Sequence, residues 1–174
     1  MSEKKQRFSL QQKMDEDEQI AKSNLVESPP FPKDLLIETT NACNHRCVFC
    51  AQPKMTRTKK VMPKEKVVSI LQEARKLGAE KVGLYSGAEP LADKNLIDYI
   101  KITKALGYTY IYISTNGAIG KNDKFKEIID AGLDSIKFSF NAGTRESYKI
   151  VHGRDDWDQV VSNIRFVSEY RKKK

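Results

Sequence analysis

All three cysteines of the chain lie within eight consecutive residues, Cys43-Asn44-His45-Arg46-Cys47-Val48-Phe49-Cys50. The spacing Cys-x3-Cys-x2-Cys offers three thiolates from one short loop, enough for three corners of a cubane iron–sulfur cluster. The fourth iron is then left without a protein ligand. An open iron on a redox-active cluster can bind and reduce a small molecule, so the spacing points to chemistry rather than scaffolding. A second chemistry uses the same residues: His45 could join the thiolates as the fourth ligand of a zinc ion, giving a Cys3His binding module. Zinc sites normally pair short-spaced ligands with a second half farther along the chain, and here every ligand falls in one stretch.

The elements around this loop must position it. Residues 35–39 read as a short buried strand, followed by a loop of about 20 residues that carries the cysteines, a length that usually signals function. Pro63 opens a helix with Val67, Ile70, Leu71, Ala74 and Leu77 on one face, and Gly78 closes it. A second strand is predicted at 81–85, a helix capped by Asp93 and closed by Gly107, and a third strand at 108–113. Asn122 caps a third helix that ends at Gly132, residues 135–140 form a fourth strand, and Asp155 caps a last helix containing Trp157, Val160, Val161, Ile164 and Val167.

Four strands, each followed by a helix, predict an α/β fold with a parallel sheet. In such folds, sites collect at the carboxyl ends of the strands. The cysteine loop follows the first strand and Ser86-Gly87-Ala88-Glu89-Pro90 the second. Ser114-Thr115-Asn116-Gly117 follows the third and Asn141-Ala142-Gly143 the fourth, so the unusual loops share one edge.

Composition sets the outer bounds. The chain has 174 residues, 39% hydrophobic and 31% charged, which suits a globular domain with a solvated surface. Residues 1–32 read as a polar extension that ends in the proline-rich stretch near Pro29 and Pro30. No apolar run is long enough to span a bilayer and no secretory signal is visible, so no membrane association and a cytoplasmic location are expected. Clustered cysteines in odd number also argue against a disulfide framework. The formal charge of +8 is spread over the helices, densest at Lys54, Arg57, Lys59, Lys60, Lys64 and Lys66. That group reads as a solvated face, or as a surface meeting an anionic substrate, and a nucleic-acid partner is not expected.

With Phe49 before the third cysteine, and with Gly87-Ala88-Glu89-Pro90 standing where a Gly-Gly-Glu-Pro motif is found, the chain resembles the radical S-adenosylmethionine (radical SAM) family. The segment 134–164 resembles the branch that carries a SPASM or twitch extension. What the resemblance implies is a partial parallel (β/α) barrel, four units visible of the usual six, over a core at 33–174 that is truncated at its C-terminus. It implies a 4Fe–4S cluster on Cys43, Cys47 and Cys50 and S-adenosyl-L-methionine as cofactors, in an oxygen-sensitive enzyme. The cofactor is cleaved reductively to a 5′-deoxyadenosyl radical, which abstracts a hydrogen atom from an unidentified small-molecule or peptide substrate.

No catalytic side chain beyond the cluster ligands is implied, and an external electron donor such as flavodoxin or ferredoxin is. By the same resemblance Gly87, Ala88 and Glu89 contact the methionine moiety, with Ala88 a departure from the second glycine. Phe49 lies along the adenine; Thr115, Asn116, Ser139 and Asn141 contact the cofactor, and Arg154 pairs with its carboxylate. His45 and His152 read as polar loop residues. A fragment that holds a cluster without completing the reaction stands as a further alternative.

Overall fold

A computed structural model describes residues 10–23, 25, 27 and 29–173. The chain divides into two units, Met1–Phe31 and Pro32–Lys174. The first contains helix α1 (Leu10–Ser23), where Glu18 and Lys22 pair at 2.7 Å one turn apart. Such an exposed pair adds a few tenths of a kcal/mol, on the order of 0.3–0.5.

The second unit is built on four parallel strands, β1 (Asp34–Leu36), β2 (Lys81–Gly83), β3 (Tyr110–Thr115) and β4 (Ser135–Phe138), in the sheet order β1-β2-β3-β4. Asp34 lies opposite Lys81, Lys81 opposite Tyr110, and Tyr112 opposite Ser135. Helices α2 (Lys64–Lys76), α3 (Leu96–Ala105) and α4 (Asn122–Asp130) connect successive strands, and α5 (Arg145–His152) and α6 (Trp157–Lys172) follow β4. The α/β reading from periodicity is therefore the observed one.

The strands alternate as a half-covered sheet must. On β3, Ile111, Ile113 and Thr115 are buried, and Tyr110, Tyr112 and Ser114 look to the other face. Val67, Leu71, Leu96, Ile100, Phe125, Ile128 and Val160 supply the helical side of the core. Each such side chain contributes about 1.5–3 kcal/mol by leaving water. The opposite face is wetter: Tyr85, Tyr110 and Tyr112 pack ring to ring at 5.5–5.8 Å, and the Tyr112 hydroxyl donates to Asp34 at 2.9 Å.

Strand ends differ from the sequence reading for identifiable reasons. Tyr108 was expected in the third strand, but its ring is buried and its hydroxyl donates to the Leu71 carbonyl at 2.9 Å. The strand therefore begins at Tyr110, where the ladder with Lys81 starts. Helix starts also move. Asp155 does not cap α6; its carboxylate binds Arg145 at 2.9 Å, and Asp156 occupies the N-cap position. Lys121, not Asn122, stands at the N-cap of α4. Asp93 does not cap α3, whose N-cap position is held by Asn95, but accepts from the Asn95 amide at 2.9 Å just ahead of that helix.

Helix α5 was not expected at all, because only Tyr148 and His152 of its eight residues are buried and no apolar period is visible. Its signals are at the ends. Thr144 and Ser147 form a reciprocal capping box, and Gly153 closes the helix at φ 68°, a left-handed conformation that glycine adopts without steric cost.

Candidate functional site

The cysteine loop is tied at its base before any ligand is considered. Thr40 bridges to Val61, and Asn41 accepts from the Lys60 amide at 2.6 Å and donates to the Thr58 carbonyl at 2.9 Å. Its far side is fixed to the end of α5, where the amides of Arg46 and Val48 donate to the carbonyls of His152 and Val151 at 3.2 and 3.0 Å. The loop after β2 is tied to it as well, through the Glu89 amide and the Ala42 carbonyl at 3.1 Å. The long connection 37–63 is thus held at three places by backbone bonds, which fixes where its sulfurs lie.

Those sulfurs share one open cavity of about 250 Å³. Cys43 and Cys47 are half-buried and Cys50 is exposed. Each has a nitrogen at hydrogen-bonding range. Cys43 Sγ faces the His45 amide at 3.5 Å and Asn116 Nδ2 at 3.8 Å, and Cys50 Sγ faces the Gln52 amide at 3.4 Å. Cys47 Sγ lies 3.4 Å from His152 Nδ1. Burial pushes the Cys43 thiol up, and burial with the neighbouring sulfurs pushes Cys47 up to about 11. Both are therefore protonated at neutral pH until a metal replaces the proton.

Glu89 forms the opposite wall. It is almost wholly buried, and its carboxylate accepts from the Thr115 hydroxyl at 2.6 Å, the Asn116 amide at 2.8 Å and the Leu91 amide at 3.0 Å. Burial nevertheless holds its carboxyl above the usual range, the three donors opposing that shift only in part. Thr115 Oγ1 also accepts from the Gly117 amide at 3.0 Å, so the turn after β3 is locked onto the turn after β2.

The predicted residues divide into two groups. Phe49, Gly87, Ala88, Glu89, Thr115, Asn116 and Ser139 line the cavity with the three cysteines. Asn141 and Arg154 do not. Asn141 is exposed with φ 38°, and Arg154 donates from Nε to Asp156 at 2.9 Å and from Nη1 to the Asn44 carbonyl at 3.5 Å. His45 lies in the cysteine loop as read from the sequence, whereas His152 is the last residue of α5; both are buried and line the cavity. His45 Nε2 donates to Asp156 Oδ2 across 3.1 Å, and His152 Nε2 donates to the Phe140 carbonyl at 2.9 Å. Burial drives the His45 pKa down, against the pull of Asp156, so the ring is neutral near pH 7. Trp157, expected in the core, is half-buried and packs on Phe140 at 4.8 Å.

The donor set fits a polynuclear cluster better than one ion held by three cysteines. Two thiolates on one zinc, each about 2.3 Å from it, are at most about 4.6 Å apart. Among the described residues, the group compact enough for a single ion is not the cysteine triplet but His45, Cys47 and His152, within 4.8 Å of one another. Sulfurs spread around a common cavity suit separate irons of one cubane. The amide donors at Cys43 and Cys50 are of the kind that tune cluster potentials.

Comparison with known proteins decides the family. The model of the Radical SAM superfamily matches residues 37–174. The chain belongs to the Radical SAM superfamily. The resemblance in Cys43, Cys47, Cys50 and Glu89-Pro90 thus reflects membership, and the 4Fe–4S cluster and S-adenosylmethionine are the cofactors of that family.

Similar curated proteins include the "Probable GTP 3′,8-cyclase" of Saccharolobus solfataricus, 34% identical over 133 residues that cover 76% of this chain and 42% of that protein. The protein of the same description from Methanothermobacter marburgensis is 31% identical over 130 residues, with 75% and 42% covered. The chain therefore spans 42% of the length of these relatives. Among solved structures, Streptococcus suis SuiB bound to S-adenosylmethionine superposes with a TM-score of 0.67 at 19% identity, over 91% of this chain and 36% of that one. Methylornithine synthase superposes at 0.63 and 19% identity, over 78% and 41%. The four-stranded parallel unit of this chain shares the fold of the matching part of these structures. No helix among the described residues is long and apolar enough to cross a membrane.

Proposed function

We propose that this chain is the radical-generating core of a radical SAM enzyme, and that Cys43, Cys47 and Cys50 hold the cluster while the wall of Gly87, Ala88 and Glu89 receives S-adenosylmethionine. The observation that carries this reading is the meeting of three thiols and one buried carboxylate in a single cavity at the carboxyl edge of the sheet. Bound there, the reduced cluster and its cofactor supply a 5′-deoxyadenosyl radical that takes a hydrogen atom from a substrate.

The residues have the following tasks. Glu89 Oε2 accepts one bond, from Asn116, and keeps capacity for a second donor, which suits an ammonium group. Ser114 and Ser139, 3.2 Å apart, offer hydroxyls to a ribose from the ends of β3 and β4. Phe49, largely exposed at the mouth of the cavity, offers a ring face to adenine. Asn141 and Arg154 reach the cofactor only if the loop after β4 and the Asp156 pair rearrange. An external one-electron donor such as flavodoxin or ferredoxin completes the scheme, and residues 33–174 serve as the core with 1–32 as an extension.

GTP is the first substrate to test, because the relatives are described as GTP 3′,8-cyclases and the basic group Lys54, Arg57, Lys59 and Lys60 follows the cysteines in the sequence, with Arg57 paired to Glu38. Anaerobic reconstitution should load about four irons per chain, and dithionite with S-adenosylmethionine should release 5′-deoxyadenosine. Iron content that survives Cys43→Ala, Cys47→Ala and Cys50→Ala would refute the ligand assignment. Iron without 5′-deoxyadenosine would refute the catalytic one.

A further inference from the structure

Two buried imidazoles converge on Cys47. His152 has Nε2 at the Phe140 carbonyl, 2.9 Å away, so that nitrogen carries the proton and Nδ1 presents a lone pair. That lone pair faces Cys47 Sγ at 3.4 Å. His45 has Nε2 at Asp156 Oδ2, 3.1 Å away, which likewise leaves a lone pair on Nδ1. His45 Nδ1 is buried and has no hydrogen-bond partner among the described residues, in a residue only 3% exposed. A buried acceptor without a donor costs about 1–3 kcal/mol, a cost that a ligand would relieve.

We propose that His45, Cys47 and His152 form a mononuclear zinc site in the cluster-free protein, distinct from the cysteine triplet but sharing Cys47 with it. One ligand atom from each lies within 4.8 Å of the others, so contraction by roughly 1 Å reaches the spacing set by bonds of about 2.0–2.1 Å to nitrogen and 2.3 Å to sulfur. The supporting shell is already in place. Asp156 orients His45 as a carboxylate behind a metal-bound imidazole does, and the Phe140 carbonyl does the same for His152. Ring packing fixes both, with Tyr148 4.3 Å from His152 and the two histidine rings 5.3 Å apart.

Two imidazoles and a thiolate suit zinc, with the fourth position open toward the cavity that all three residues line. Binding releases the thiol proton of Cys47 to solvent. Because Cys47 is shared, zinc and the iron–sulfur cluster compete for one chain. The site does not depend on the catalytic reading, since it is formed by the iron-free protein.

The test uses the full chain, reduced and stripped of iron, titrated with zinc against a chromophoric chelator. One zinc per chain is expected. Cys43→Ala and Cys50→Ala should keep that affinity within about 3-fold while losing iron on reconstitution. Asp156→Asn should weaken zinc by about 10–100-fold, the range for a lost orienting partner, and His152→Gln by more. Cobalt in place of zinc should show tetrahedral d–d bands with charge transfer from a single thiolate, a readout on the unaltered chain that no misfolded variant can confuse. Zinc affinity that falls with Cys43→Ala or Cys50→Ala, or a cobalt spectrum with several thiolates, would overturn the proposal. So would less than stoichiometric zinc on the unaltered chain.

Discussion

Asn163 on α6 braces the loop that carries Thr115 and Asn116 into the cavity, and its removal can be worked through bond by bond. Its side chain is buried and donates to the Gly117 carbonyl at 2.9 Å and the Gly120 carbonyl at 3.1 Å. Gly120 has a second donor in Gln159 at 2.8 Å, and Gln159 also reaches the Ala118 carbonyl at 3.1 Å. In Asn163→Ala the Gly120 carbonyl therefore stays satisfied and the buried Gly117 carbonyl loses this donor. One stranded buried acceptor costs about 1–3 kcal/mol, so the expected loss is about 2 kcal/mol. In a unit of this size that lowers Tm by roughly 4–8 °C.

Asn163→Asp should be worse than alanine, since a carboxylate faces two carbonyls with no proton to give. Half-buried Gln159 should cost less than about 1 kcal/mol when changed to alanine, because water can reach part of its place. The double variant strands Gly120 as well, so its loss should exceed the sum of the singles by at least about 0.5 kcal/mol. Guanidinium denaturation of the iron-free chain, followed by circular dichroism, measures all four. An Asn163→Ala variant within about 0.5 kcal/mol of the parent, an additive cycle, or an aspartate more stable than the alanine would each refute the bond-by-bond account.

Three further outcomes follow from single residues. Glu89 has its carboxyl raised by burial, so its contribution to stability is full below the unfolded value near 4.5 and declines as pH rises through the folded value. Denaturation of the parent beside Glu89→Gln should show the parent's relative stability falling over that window, and a rise would mean the three donors outweigh burial. Gly153→Ala places a Cβ 3.0 Å from the Arg46 carbonyl at a positive φ, and should cost about 1–2 kcal/mol and lower iron loading by displacing the residue between His45 and Cys47. Thr144→Ala removes one half of the α5 capping box and should cost about 1 kcal/mol, read by thermal unfolding, with Thr144→Ser restoring it.

What was legible in the sequence was local. The spacing of Cys43, Cys47 and Cys50 and the turn at Glu89-Pro90 lie within a few residues, and the strand–helix rhythm places both at one sheet edge. What was not legible depends on partners far along the chain. His45 looks like a polar loop residue until Asp156, 111 residues later, meets its ring. His152 was hidden because α5 buries only two residues, although Thr144, Ser147 and Gly153 mark its ends for a reader who weighs caps over periodicity. Arg154 looked available for a carboxylate, and Asp156 takes it. One acidic residue thus decides both the orientation of His45 and the engagement of Arg154. The same thiol spacing admits a cluster or a shared zinc, and the zinc needs both His45 from within the motif and His152 from the end of α5 beside Cys47. The cysteine motif names the element that can bind, and the long-range contacts to α5 and Asp156 determine what competes with it.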